Sequence, residues 1–551
     1  MVATTTSRAP RASAPRRELR GELWSTFGLP IALIVGVLAV WTLIAWAFNG
    51  SYVIPFPWTL AAQLVSDWGL LWLNAASTLS TAGWGLLWAV VIVVPLAVLC
   101  FVLPFSQPTV VIIATVVHVI PMAALAPIVV VAASPGVARI IIAAIFVYFP
   151  LLIGVLLGLR STDERAMDVV TASGGGVWAQ VRFLRLQSAL PSIVAGLQIG
   201  VPAAILGALV SEFFGADRGL GQLLLASQQY MLVDRVWAIG VFAGILAAIG
   251  FGLVALLARL LVPWAGKGGT VSAQVAGAQS QRLSTLKTVL SAIVAIAIVT
   301  GFWYSLRYVF GLDAYFVKLP HELVDFMLNG DPNLGGIGML QRPGPSGFWE
   351  SFSVALGQTL LDAIVGFVAG TVLAILGAIA LVAMPNLSRV LMPMAIVLRS
   401  IPLLAMLPII VIVFGRGLLG VTVIIVLVTF FPTLVNVMAG LRAAPEGAVE
   451  VIRASGGSSF AVARRVRLLY AVPSIIASAQ IAIPAAIGGA TLAEWLATGN
   501  GVGYMLTISS VQAKYLQLWT ASILLTLLVL VIYGLLGVIS GAISRRIGVA
   551  P

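Results

Sequence analysis

Long apolar runs dominate this 551-residue chain, and short polar stretches between them carry most of the charge. A run of about 18 or more apolar residues is long enough to cross hydrocarbon as a helix. Helical hydrogen bonding leaves no backbone group unpaired on the way. The runs predict helices near 29–48, 76–98, 109–132, 139–158, 189–212 and 236–260. A second set follows near 288–309, 353–383, 389–413, 418–440, 471–494 and 516–541. The fold class is therefore all-α integral membrane, with about 12 transmembrane helices in two groups of six. Residues 1–28, rich in Arg, Ser, Ala and Pro, read as a disordered basic tail. The run after them is too long for a signal-peptide core, and no small-residue cleavage site follows, so it reads as a retained helix. Residues 263–287, rich in Gly, Ala, Ser and Gln, suit a flexible linker. Six helices bring the chain back to its starting side, which makes 29–262 and 288–546 parallel repeats.

The polar stretches repeat as well. Residues 168–191 read DVVTASGGGVWAQVRFLRLQSALP, and residues 450–473, 282 positions on, read EVIRASGGSSFAVARRVRLLYAVP. The register extends outward: Pro150 matches Pro432, Gln198 Gln480, Pro202 Pro484, Glu212 Glu494, and Trp237 Trp519. Upstream the offset becomes 281, pairing Pro121 with Pro402 and Pro127 with Pro408. Further up, Pro57 against Pro320 gives 263, so the second repeat carries about 18 extra residues, mostly in the turn-rich stretch 329–347. That loop is either drift at a tolerant place or an added contact for an extracytoplasmic partner.

Composition supports the membrane assignment. Hydrophobic residues make up 61% of the chain, charged ones 9%, and mean hydropathy is +1.11, against roughly a quarter charged in soluble domains. The net charge of +12 invites a nucleic-acid reading, but its placement argues against one. If the N-terminus is cytoplasmic, most lysines and arginines fall on the inner side, in the tail, the two islands, the linker and the C-terminus. No nucleic-acid partner is expected; the bilayer is. A single Cys100 excludes an internal disulfide. With two histidines, no metal-ligand cluster and no Ser/His/Asp arrangement, the chain does not read as an enzyme. Gly266–Lys267–Gly268 lacks the Ser/Thr and earlier glycine of a P-loop, so no nucleotide cofactor is expected on this chain.

The islands resemble the EAA motif of binding-protein-dependent ABC importer permeases: a carboxylate, a glycine six positions on, and a proline seventeen beyond that. Asp168, Gly174 and Pro191 fit this spacing, as do Glu450, Gly456 and Pro473. The flanks 120–136 and 401–417, and the GLG and GVG at 219–221 and 501–503, are similar to the nitrate, sulfonate, taurine and bicarbonate branch. Permeases of that branch are usually single six-helix chains that pair. Asp168 departs from the motif's Glu, its AA pair is Val169–Val170 and Val451–Ile452, and its earlier proline is Gln187 or Leu469. The resemblance implies a type I ABC importer (MetI-like) transmembrane fold, with two permease units fused. It implies two ABC ATPase subunits that bind ATP and Mg, an extracytoplasmic solute-binding protein, a small solute, anionic or otherwise polar, and a bacterial plasma-membrane location with cytoplasmic termini. It also implies that Asp168, Ala172, Ser173, Gly174 and Gly175, with Glu450, Ala454, Ser455, Gly456 and Gly457, form ATPase-coupling helices. Arg182, Arg185, Arg464, Arg465 and Arg467 would meet headgroups or the ATPase.

Charge is costly inside hydrocarbon, so intramembrane ionisable residues are candidates for function. Asp362 and Arg399 are expected near mid-depth of neighbouring helices, as a structural pair or on the pathway; their counterparts are Thr81 and His118. Gln198 and Gln480 stand a turn ahead of prolines and can satisfy a freed carbonyl. Glu212 and Glu494 are expected near the outer surface or at the outer end of a cavity, as helix caps or loop anchors, or as an outer gate or receptor contact. A stand-alone secondary transporter with internal duplication is the alternative, though it has no need of two ATPase-docking islands.

Overall fold

The computed structural model describes residues 29–47, 54–160, 162, 164–262, 285–330, 345–384, 388 and 403–547. The first half comprises α1 (Leu29–Ala47), α2 (Pro57–Ser66), α3 (Trp68–Val102), α4 (Gln107–Val119), α5 (Met122–Ala132), α6 (Pro135–Arg160) and α7 (Glu164–Ala172). It continues with α8 (Val177–Gln180), a π-helical turn (Val181–Arg185), α9 (Leu186–Glu212), α10 (Leu220–Gln229) and α11 (Val233–Leu261). The second half repeats the order. It has α12 (Thr285–Tyr308), α13 (Pro320–Asn329), α14 (Pro345–Ala383), α15 (Leu403–Phe414), α16 (Leu418–Arg442) and α17 (Glu446–Ala454). Then come α18 (Ser459–Val462), a π turn (Ala463–Arg467), α19 (Leu468–Ala493), a second π turn (Glu494–Thr498), α20 (Gly501–Val511) and α21 (Tyr515–Ile547).

Among the described residues, nine helices are long and apolar enough to cross a membrane, or up to ten if α4 and α5 count as one. α1 adds 19 apolar residues. Two spans start earlier than their patterns predict. α3 begins at Trp68 and α14 at Pro345, because Leu71 and Ala75, and Phe348 and Phe352, carry the buried stripe back through the polar-looking flank. α3, 35 residues long, then measures about 52 Å, well beyond the ~30 Å of hydrocarbon.

The run at 109–132 is not one straight helix. It breaks at Ile120–Pro121 with a 97° bend between α4 and α5. Pro121 donates no hydrogen bond and pushes Ile120 to φ −59°, ψ 122°, outside the helical region. Of the counterpart near 389–413, only α15 lies within the described residues. The linker expected at 263–287 gives way to α12 from Thr285, and most of the 329–347 loop lies outside the described residues.

Each half packs as a small-residue bundle, as helices do where lipid removes the hydrophobic drive. α6 meets α9 at Gly158, where an added Cβ would come within 2.9 Å of Ala189 Cα and of Ser192 Cβ. α16 meets α19 the same way at Gly440, against Ser474 and Ala471. One continuous core joins both halves. α12 lies against α4 of the first half, α11 against α15, and α21 against α5. Ser522 Oγ on α21 donates to the Ala124 carbonyl at 3.3 Å.

Candidate coupling, pathway and gate sites

Each island folds as helix, glycine turn, then re-entry into a long helix. α7 ends where Ser173 N–H reaches Val169 O (3.1 Å) and Gly175 N–H reaches Val170 O (2.9 Å). α17 ends the same way, through Ser455 to Val451 (3.1 Å) and Gly457 to Ile452 (2.9 Å). This helix stop places one residue in the left-handed region, and Gly174 (φ +79°) and Gly456 (φ +77°) occupy it. The glycines after them have no room for a Cβ: at Gly175 it would come within 2.7 Å of Val170 Cγ1. Asp168, Ala172, Ser173 and Gly174 are exposed, as are Glu450, Ala454, Ser455 and Gly456. The sequence reading missed the apolar residues beside them. Val169 and Trp178 are 67% and 70% exposed, and their counterparts Val451 and Phe460 are 64% and 68% exposed. Their identical register was a signal available in the sequence. Arg182 and Arg185, and likewise Arg464, Arg465 and Arg467, fall in a π-helical turn, a local widening that recurs at functional sites.

α9 and α19 start at the islands and run to the opposite end of the molecule, α9 finishing at Glu212 and α19 just before Glu494, the first residue of the π turn. Both residues are completely buried, so they form no part of the outer surface. Glu212 accepts from Gly221 N–H (2.7 Å) and from the Thr78 hydroxyl (2.7 Å). Thr78 in turn accepts from Leu220 N–H (2.9 Å), and Asn74 Oδ1 accepts from Gly219 N–H (3.0 Å). Glu494 accepts from Gly503 N–H and Thr359 (both 2.9 Å), and Thr359 accepts from Val502 N–H (2.9 Å). A Cβ on Gly219 or Gly501 would collide with the carboxylate, and both glycines have positive φ. Carboxylate, threonine and glycine turn thus form one staple in each half. Sequence reading named the glutamates and not Thr78 or Thr359, although these too recur, at an offset of 281.

Just past the glutamates the halves touch. Phe214 stacks on Trp495 with centroids 4.4 Å apart and planes 5° from parallel, and Phe213 lies 5.8 Å from the same ring.

The pathway candidates separate. His118 stacks on Phe149 (4.1 Å, 9°) at the break between α4 and α5. Its side chain is exposed. Asp362 is 2% exposed and accepts from Gln358 at 3.1 Å. It lies one turn past Thr359 on α14. Its expected partner Arg399 lies outside the described residues. Gln198 and Gln480 are half-buried in α9 and α19 and make no side-chain hydrogen bond to a freed carbonyl among the described residues. No group of three or more His, Cys, Asp or Glu able to hold a metal occurs among the described residues.

A family model described as "binding-protein-dependent transport system inner membrane component" matches the chain twice, over residues 100–267 and 355–549. The riboflavin transport system permease protein of Chloroflexus aurantiacus is 26% identical over 259 residues, which is 46% of this chain and 96% of that protein. The formylaminopyrimidine transport permease protein of Halalkalibacterium halodurans is 25% identical over 43% of this chain and 95% of its own length. The taurine transport system permease protein of Escherichia coli is 26% identical over 43% and 91%. Each relative is thus about half as long as this chain. No solved structure matches it significantly.

Proposed function

Because the chain belongs to the family of binding-protein-dependent transport system inner membrane components, we propose that its two halves together form a transmembrane pathway of an ATP-driven importer. The family model matches twice in one polypeptide, over 100–267 and 355–549, and on this reading the two permease units are 29–262 and 288–546, each about the length of a whole relative. The observation that carries this reading is the pair of exposed islands. Each sets an apolar pair (Val169 and Trp178, or Val451 and Phe460) beside a carboxylate and a glycine-stopped helix. An exposed apolar patch rimmed by polar residues is a protein-docking surface. Two copies in one orientation fit two ATPase subunits on the cytoplasmic side, with ATP and Mg held by those subunits.

The opposite face then receives a solute-binding protein. The aromatic contact of Phe213 and Phe214 with Trp495 is the closed outer gate, and Glu212 and Glu494 anchor the turns that carry it. ATPase closure draws α7 and α17 together; the motion passes along α9 and α19 and parts the rings. Solute enters past Asp362 and His118 and leaves inward when the ATPases separate. The cargo is a small solute, as the names of the relatives indicate for those proteins. In proteoliposomes, uptake is expected only with the ATPase, the binding protein and ATP together. Uptake driven by an ion gradient with no ATPase would instead establish the secondary-carrier reading.

A further inference from the structure

The islands match in register but differ beneath their surfaces. In the first half Arg185 is closely held. Its guanidinium lies 4.1 Å from the Phe101 ring centroid, Nη1 donates to Leu159 O at 3.0 Å, and Nη2 meets the Met167 sulfur at 2.5 Å. Beside it Gln180 donates to Thr171 at 3.2 Å. The repeat carries Arg185 to Arg467, Phe101 to Val382, Met167 to Val449, Gln180 to Val462 and Thr171 to Arg453. The ring, the sulfur and the amide are gone, and a second arginine is added. What remains is a cavity of about 130 Å³, lined among others by Ile379, Val382, Leu441, Arg453, Val462 and Arg467. No carboxylate lines it, and neither arginine makes a hydrogen bond or ion pair among the described residues.

We propose that this cavity binds the phosphate group of an anionic phospholipid from the leaflet on the island side. The cavity sits where α14 and α16 end and α19 begins, which is where the apolar spans leave the hydrocarbon. Its lining joins apolar side chains (Ile379, Val382, Leu441) to two arginines (Arg453, Arg467), the polarity of acyl chains joined to a headgroup. Guanidinium donates in parallel pairs to phosphate oxygens. The exposed Arg464 and Arg465 beside it add to the field. Inorganic phosphate would leave oxygens unpaired against the apolar side chains, whereas an ester-linked lipid places its glycerol there. The first half takes no such lipid, because Phe101 occupies the space, so each chain holds one. The inference rests on the membrane placement of the chain and not on the transport reading.

The test uses the full chain in phosphatidylcholine nanodiscs containing a small fraction of phosphatidylglycerol, with retained lipid counted by native mass spectrometry. Wild type is expected to keep one phosphatidylglycerol. Arg453→Thr, which restores the first-half residue at an exposed position, is expected to lower retention about fivefold, corresponding to about 1 kcal/mol for one arginine. Val382→Phe, which refills the cavity, is expected to abolish it. Equal retention in wild type and Arg453→Thr overturns the proposal, even if Val382→Phe fails to fold. Displacement of the lipid by inorganic phosphate, or phosphate binding in discs without phosphatidylglycerol, also overturns it by making the site one for a free anion.

Discussion

At Gly174 and Gly456 the backbone adopts φ near +78°, a conformation that costs an L residue about 1–2 kcal/mol. Gly174→Val or Gly456→Val therefore shifts the helix stop and tilts the exposed docking pair. Roughly tenfold weaker ATPase association is expected for either, with the permease still monodisperse on size-exclusion chromatography. Unchanged association would show that the turn does not set the docking surface. The staples at the other end obey a different rule, since their polar groups are buried. Thr78→Val leaves Leu220 N–H and one Glu212 oxygen unpaired, a loss of about 2 kcal/mol or more. Glu212→Ala orphans Gly221 N–H and leaves the Thr78 hydroxyl only the longer bond to the Asn74 carbonyl (3.3 Å), while Glu212→Gln keeps an acceptor and should fall between wild type and Ala. Thermal unfolding of the three variants gives the order, and a Gln variant as unstable as the Ala one would require the negative charge itself.

The short interfacial helices α2 and α13 are pinned differently in the two halves. Asp67, at the junction of α2 and α3, accepts from Arg235 Nε at 2.7 Å and from Arg235 Nη2 at 3.0 Å. The Arg235 hydrogen bond holds the Asp67 carboxyl below its ordinary value of 3.8, against a smaller opposing effect of burial. A carboxyl depressed in the folded state contributes stability above its unfolded pKa and loses it as pH falls through the folded one. Asp67→Asn should therefore lower the unfolding temperature at about pH 7, and the gap to wild type should close as pH falls from the ordinary 3.8 through the lower folded-state value. In the second half Glu322 bonds Arg307 at 2.5 Å. Burial alone would raise that carboxyl, but Arg307, the Leu319 amide and Lys318 together keep it low. Neither ion pair was legible in the sequence, because Asp67 and Arg235 stand 168 residues apart and the repeat does not conserve them. What the sequence did reveal was periodic or doubled. The apolar runs marked the spans, and the islands with their glycines marked the helix stops. Pro121 marked a position whose 97° consequence depends on packing that no local pattern encodes. Thr78 looked like an ordinary polar residue in a long helix, since its partner lies 134 residues away.

Across the whole molecule, fusion lets two units share a scaffold and diverge where they need not match. Both islands keep an exposed aromatic and a capped helix, while Phe101 against Val382 and Thr81 against Asp362 differ. The outer contact is asymmetric too: Phe213 and Phe214 from one half meet Trp495 from the other, so no single-unit permease pairing with itself could reproduce it. If this contact is the gate, its opening must accompany closure of the islands at the far end of α9 and α19. The buried Cys100 is the chain's only cysteine, so a Cys100→Ser background allows a direct test. Phe214→Cys with Trp495→Cys should be bridged by a short bifunctional thiol reagent in the nucleotide-free complex and resist bridging when ATP is trapped. Bridging should stop uptake while leaving ATPase association intact, and a cleavable reagent should restore uptake on reduction. Trp495→Ala should have the opposite effect, raising ATPase turnover without the binding protein, because the closed state loses its stacked pair at about 0.5–1.5 kcal/mol. Equal bridging with and without trapped ATP would mean that the rings stay together throughout the cycle, and the gate would then have to be sought at the break between α4 and α5, beside His118.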